Sequence, residues 1–248
     1  MNFDIIDGHT HVHSLPNHMW DSPPERIVKL MDEANISKAV IMPYGEILPE
    51  DLSLLEYTIA SVKKFPERLM GFARMHPGGG KEGVEIFEKS VVEDGIRGLK
   101  FHPVGTSIHP ADPLTVMFVE KACELGVPTL FHCGDEEWTL PLQIAKLLKK
   151  VPDAKVILGH MGGYFHVEDA IAVAKDYENC YLETSATPNP KIIEKAVKEL
   201  GAHRVIFGSD GPGCLPKLEV EKITVLQLDA QDEKQIFHDN IMQLLGSK

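Results

Sequence analysis

The sequence predicts one α/β domain spanning 1–248: a (β/α)8 TIM barrel with an extra C-terminal helix. Three observations predict it. Eight short strand-like runs are each followed by a helix-like pattern, and that alternation implies a parallel sheet. Several runs are apolar almost throughout, as in Ala39-Val40-Ile41-Met42 and Val205-Ile206-Phe207, which is how strands covered on both faces read. The length of 248 residues suits eight such repeats, a fold of about 250 residues. A doubly wound open sheet is the alternative. It would place a glycine-rich phosphate turn after the first strand, where His9-Thr10-His11 stands instead.

The elements follow in order. The first strand covers 3–7, and a helix over 24–34 places Ile27, Leu30, Met31 and Ala34 on one face. The second pair is 38–42 and 51–64. The third is 70–74 and 83–93, separated by the loop Gly78-Gly79-Gly80. The fourth is 95–101 and 114–125, with Gly126 just past the helix end. The fifth strand, 128–132, leads to 142–150, where Ile144, Ala145, Leu147 and Leu148 form the apolar stripe. Strand 155–159 precedes 167–174, strand 180–184 precedes Pro190–Leu200 stopped by Gly201, and strand 204–208 precedes 217–226. A last helix, 232–245, opens on Asp232 as N-cap and closes at Gly246.

Composition excludes several classes. The formal charge is -12, from 37 acidic and 25 basic residues, which opposes a nucleic-acid partner. Cys123, Cys133, Cys180 and Cys214 form no CxxC pair, so they read as free thiols, not a zinc ribbon or redox motif. No run approaches ~18 apolar residues, and the start Met-Asn-Phe-Asp lacks the basic and apolar regions of a signal peptide. A soluble cytoplasmic protein without membrane partners is expected, possessing a small-molecule substrate.

In a barrel of this class, catalytic groups come from the C-terminal ends of several strands. Those ends carry His9 and His11, Arg74 and His76, Lys100 and His102, His132, His160, Glu183, and Asp210. His9 and His11, two residues apart on an extended segment, share a face, and neutral imidazole is the commonest metal ligand. Metal-compatible side chains thus stand at strands one, five, six and eight.

The ordered motifs Ile6-Asp7-Gly8-His9-Thr10-His11, Gly98-Leu99-Lys100-Phe101-His102-Pro103, Gly159-His160-Met161-Gly162-Gly163 and Gly208-Ser209-Asp210-Gly211-Pro212 resemble the amidohydrolase superfamily. Within it they are most similar to the amidohydrolase-2 group, which includes the aminocarboxymuconate semialdehyde decarboxylases. The resemblance, which extends to the closing helix around Asp239-Asn240, covers essentially the whole chain. It implies one divalent metal held by His9, His11, His132 and Asp210, with His160 beside it. Such a mixed nitrogen and oxygen site suits Zn2+, with Mn, Fe, Co or Ni as alternatives. A second metal would use His160 or a carboxylated Lys100. Relatives of this kind are often homodimers.

Roles follow. Zinc lowers the pKa of bound water to about 7. Asp210 would move the proton, and His160 would orient the water or stabilise the oxyanion. Lys100 reads as the group that binds an anionic part of the substrate, assisted by His102, with Arg74 and His76 as weaker candidates. Trp20 walls the pocket or packs its loop on the rim. Glu183 is expected to brace a ligand histidine, and Cys214 to be a free thiol. The leading expectation is a metal-dependent hydrolase of a small amide, lactone or ester. The alternative is a metal-dependent decarboxylase. A metal nuclease fits less well, since its usual strand-four glutamate is replaced by Lys100. A non-catalytic metal protein would not need both Asp210 and His160.

Overall fold

A computed structural model describes residues 3–16, 18 and 20–246. Nine strands alternate with helices: β1 (Ile5–Val12), α1 (Pro24–Glu33), β2 (Ile36–Pro43), α2 (Ser53–Lys64), β3 (Leu69–Gly71), β4 (Ala73–Arg74), α3 (Gly80–Val92) and β5 (Leu99–Phe101). Then come α4 (Pro103–Thr106), α5 (Pro113–Glu124), β6 (Thr129–His132), α6 (Pro141–Leu148), β7 (Val156–Gly159), α7 (Val167–Asp176) and β8 (Cys180–Glu183). The chain ends with α8 (Pro190–Leu200), β9 (Val205–Ile206), α9 (Pro216–Thr224), α10 (Ala230–Lys234) and α11 (Asn240–Leu245).

All strand pairs are parallel, in the orders β1-β2-β3 and β4 through β9. The predicted third strand is split at Phe72, whose N–H still reaches Ile41 O at 2.9 Å, while Ala73 N reaches Gly98 O at 3.0 Å. β3 and β4 are therefore two halves of one crossing from β2 to β5. At the other seam Gly8 N donates to Phe207 O at 2.9 Å and His11 N to Gly211 O at 2.7 Å, and Thr10 bridges Gly211. These bonds join β1 to the end of β9 and bring the eighth repeat against the first.

Side chains divide by parity. Ile6, Val40, Met42, Met70, Phe72, Leu130, Ile157 and Ile206 pack inside, where Ile241, Leu244 and Leu245 of α11 join them. Ile5, Ile41, Phe101, Leu158 and Leu182 face outward into the layer beneath the helices. Full burial on both faces explains the apolar runs.

β1 departs from this regularity in a way that decides the site. Asp7 pairs with Ala39 and Thr10 with Ile41, so Gly8 and His9 together oppose Val40. This bulge re-aims the strand. Strict alternation would put His9 and His11 on the outward face with Ile5. After the bulge, His11 pairs with inward Met42, and Asp7 pins the turn by accepting from His9 N at 3.1 Å and Ser209 N at 2.9 Å.

Other boundaries differ from expectation for local reasons. β1 continues to Val12, five residues beyond the predicted end at Asp7. The third helix begins at Gly80, directly after a 3-10 turn over Pro77–Gly79. The short α4 was not predicted, and it follows from His102 capping Gly105 N. The last helical stretch starts earlier, with Asp229 and not Asp232 as N-cap, and passes through a π-helical turn over Gln235–Asp239. Gly126, Gly201 and Gly246 do sit at positive φ beyond helix ends. Among the described residues, no helix is long and apolar enough to cross a membrane.

Candidate metal centre and its cavity

At the C-terminal ends of the strands, six side chains from five segments converge. His9 is fully buried, and its Nδ1 donates to Glu183 Oε2 at 2.9 Å. That bond leaves the Nε2 lone pair facing the centre, where Lys100 Nζ donates to it at 2.9 Å and Asp210 Oδ1 lies 3.7 Å away. His11 Nε2 is 3.0 Å from the same Asp210 oxygen. Donor atoms of His9, His160 and Asp210 all lie within 4.8 Å of one another.

Glu183 holds the cluster from behind. Its carboxylate accepts from His9 Nδ1, from Ser185 Oγ at 2.9 Å, from Ser185 N at 2.5 Å and from His160 N at 3.2 Å. Ser185 Oγ in turn accepts from His160 Nδ1 at 2.9 Å. His160 and Asp210 both adopt left-handed backbone, φ 66° and 53°, a conformation that costs a non-glycine residue on the order of 1 kcal/mol and recurs at functional sites. Gly208 is required here, because a Cβ would fall 2.3 Å from Glu183 Oε1.

His132 reaches the group through His160: its Nδ1 is 3.1 Å from His160 Nε2, and its Nε2 is 3.5 Å from Glu136. The two imidazoles span Glu136 at one end and Ser185 at the other, both of which accept. Three contacts therefore share two ring protons when both rings are neutral. One contact, the nitrogen pair 3.1 Å apart, is left with lone pairs facing each other, an arrangement that a cation relieves.

Burial holds the imidazoles neutral. It lowers the pKa of His9, His11 and His132, and brings His160 down to about 4. Burial alone would lift the Asp210 carboxyl, but the hydrogen bond with His11 and the surrounding imidazoles hold it well below the usual carboxylate range. Neutral imidazoles and an ionised carboxylate are the forms a metal requires. His11 Nδ1 is buried with no hydrogen-bond partner among the described residues. The donor set, the proton-poor nitrogen pair and the ammonium resting on the His9 lone pair all fit a divalent cation at this point.

A cavity of about 380 Å3 opens on the cluster and is lined by His11, His132, His160 and Asp210 together with Trp20, Tyr44, Glu46, Arg74, Lys100, His102 and Gly105. Trp20 stacks on Tyr44 with centroids 4.6 Å apart. His102 stacks on His132 at 4.1 Å. Lys100 is buried, and burial, followed by the nearby Arg74, brings its pKa down to about 7. No carboxylate lies within ion-pair distance of it among the described residues.

Arg74 lines the cavity, and its guanidinium also holds Glu46 Oε1, with Nη2 at 2.5 Å and Nε at 3.1 Å. His76 does not line the cavity; its Nδ1 accepts from Gly78 N at 3.0 Å and caps the 3-10 turn. His160, expected beside the ligands, belongs to the tightest trio, and His132 stands one imidazole further out. Cys214 lies in a separate groove with its thiol pushed by burial up to about 11, so it is protonated at neutral pH. Sequence reasoning missed Tyr44, Glu46 and Glu136. Tyr44 and Glu46 continue the inward parity of Met42 past the end of β2, a signal that was there to read.

Comparison with known proteins bears on this geometry. A family model described as amidohydrolase matches residues 6–247. No curated protein matches the sequence. Among solved structures, a dihydroxybenzoic acid decarboxylase from Polaromonas sp., with bound manganese and the inhibitor 2-nitroresorcinol, is similar at 19% identity and a TM-score of 0.77, over 98% of this chain and 96% of that one. A 5-carboxyvanillate decarboxylase from Novosphingobium aromaticivorans, complexed with manganese, is similar at 13% identity and 0.76, over 98% and 96%. A TIM-barrel protein from Bordetella bronchiseptica is similar at 19% identity and 0.78, over 98% of both chains.

Proposed function

The chain belongs to the amidohydrolase family, and we propose that within it this protein is a metal-dependent decarboxylase of a small planar carboxylate. One observation carries the reading. Lys100 is a buried amine with no anionic partner among the described residues, and it lines a cavity that also presents the stacked Trp20–Tyr44 pair. A buried cation is costly unless an anion meets it. A flat carboxylate satisfies both features. The similar decarboxylases act on carboxylated aromatic rings, in keeping with such an occupant.

His9, His11 and Asp210 are the proposed metal ligands. A further donor is drawn from His132 and His160, whose facing nitrogens lie 3.1 Å apart. Zinc suits these nitrogen donors, and manganese is the ion in two of the similar structures. When bound, the divalent ion supplies positive charge that orients an oxygen-bearing substrate and stabilises negative charge developing on it. Lys100 pairs with the substrate carboxylate, and Trp20 and Tyr44 hold the ring plane. As the carbon–carbon bond breaks, its electron pair stays with the ring carbon, which takes a proton, and carbon dioxide leaves. Asp210 reaches both the imidazole cluster and the cavity; being ionised, it is placed to relay that proton from solvent water to the ring carbon.

Hydrolysis is the second reading. The ionised Asp210 beside buried imidazoles favours it, since such a carboxylate also serves as a general base toward water. The deciding experiment loads the protein with manganese or zinc and offers carboxylated aromatics, lactones and amides. Carbon dioxide release with no oxygen incorporated from labelled water supports decarboxylation. Label in the product without carbon dioxide supports hydrolysis.

A further inference from the structure

The cavity contains one carboxylate that the chemistry above does not use. Glu46 lines it on the same side as Tyr44 and Arg74. Arg74 occupies only one of its oxygens, since Nε and Nη2 both bind Oε1. Oε2 makes no hydrogen bond to any described residue. The mount is rigid. Ile47 N donates to Arg74 O at 2.8 Å and His76 N to Ile47 O at 2.9 Å, which stitches the segment after β2 onto the strand carrying Arg74. The guanidinium also sits 5.8 Å from the centre of the Tyr44 ring. Arg74 and Lys100 are register partners on neighbouring strands, so the cavity places a free cation next to a cation that is already neutralised.

From this we infer that Glu46 is a specificity-determining residue: its free oxygen accepts a hydrogen bond from a hydroxyl or amino group on the ring, and its charge excludes a second carboxylate there. The inference rests on the proposed binding of a planar carboxylate at Lys100. A hydrogen bond to a charged acceptor is worth about 1.5–3 kcal/mol, or roughly 10- to 100-fold in affinity. An anion brought against Glu46 has no such partner and meets a like charge.

Calorimetric binding to the manganese-loaded protein tests this with benzoate, 3-hydroxybenzoate, 3-aminobenzoate and benzene-1,3-dicarboxylate. The wild type is expected to prefer the hydroxy and amino acids to benzoate by about 10-fold or more and to bind the dicarboxylate weakest. In Glu46→Gln the rejection of the dicarboxylate should relax by about 10-fold. Gly105→Ala supplies an independent variant. A Cβ there would lie 2.7 Å from Glu46 Oε1, so the carboxylate must shift while its charge stays. This variant should lose the preference for a ring donor yet still reject the dicarboxylate. Thermal melting and manganese content of each variant establish that the fold and the metal are intact. Monocarboxylates that bind with no preference for a ring donor, or an unchanged dicarboxylate ratio in a folded Glu46→Gln protein, would overturn the inference alone. Failure of every carboxylate to bind would overturn the anion-binding reading of Lys100 and this inference with it. Neither outcome depends on whether bound substrate loses carbon dioxide.

Discussion

The same strands end in two different environments. At their N-terminal ends Ile6, Val40, Met70, Leu130, Ile157 and Ile206 pack as an apolar plug sealed by α11. At their C-terminal ends buried His9, His11, Lys100, His160 and Glu183 crowd into a space where most polar atoms find partners. The first region gains from area removed from water and asks only for the right volume. The second pays desolvation for every charge it buries, and it holds those groups through directed bonds. Stability is thus concentrated below and chemistry above, as the barrel architecture allows. Substitutions in the two regions should separate cleanly, and that separation can be broken experimentally.

Asp210→Asn tests it hardest. Activity should fall by about 10^3-fold or more and bound metal should be lost, with the melting temperature of the metal-free protein little changed. Full metal retention by elemental analysis would remove Asp210 from the ligands. Leu130→Ala is the mirror experiment in the plug. It should cost about 3 kcal/mol in denaturant unfolding, with metal content and the ratio of activity to folded protein preserved. A variant of Leu130 that folded but lost its metal would mean that the two ends are coupled.

Glu183→Gln tests whether the upper region depends on its bracing bonds. The His9 Nδ1 partner would weaken, and metal affinity should drop by about 10- to 100-fold, measured by competition with a chelator. The smallest effect concerns pH. His160 has its pKa lowered from 6.5 to about 4 by burial, so the unfolded chain takes up the proton first. For the metal-free protein, the His160 contribution is intact above about pH 6.5 and is lost as the pH falls toward 4. Bound metal should protect against this loss, and His160→Gln should flatten the slope of stability against pH in that window.

The Glu46–Arg74 pair shows where sequence reading reached its limit. Arg74 stands at a strand end and carries a charge that suits a carboxylate, which makes it a weaker candidate for an anionic substrate group. Nothing local to it reports that Glu46, 28 positions earlier, takes its guanidinium. The His132–His160 contact has the same character, as does the hub at Glu183, 174 residues from the His9 it orients.

The order of strands and helices, the parallel sheet and the gathering of histidines and Asp210 at strand ends are legible along the chain. Those features are written in local periodicity and in side-chain chemistry, which a linear reading can follow. The direction in which His9 and His11 face emerges from the fold, because one extra residue in β1 reverses the parity of the strand. The fold also decides which cation is spoken for and which is free. The reason is physical: partners across a closed barrel are chosen by strand register and packing, and a shift of one residue exchanges the inner face for the outer.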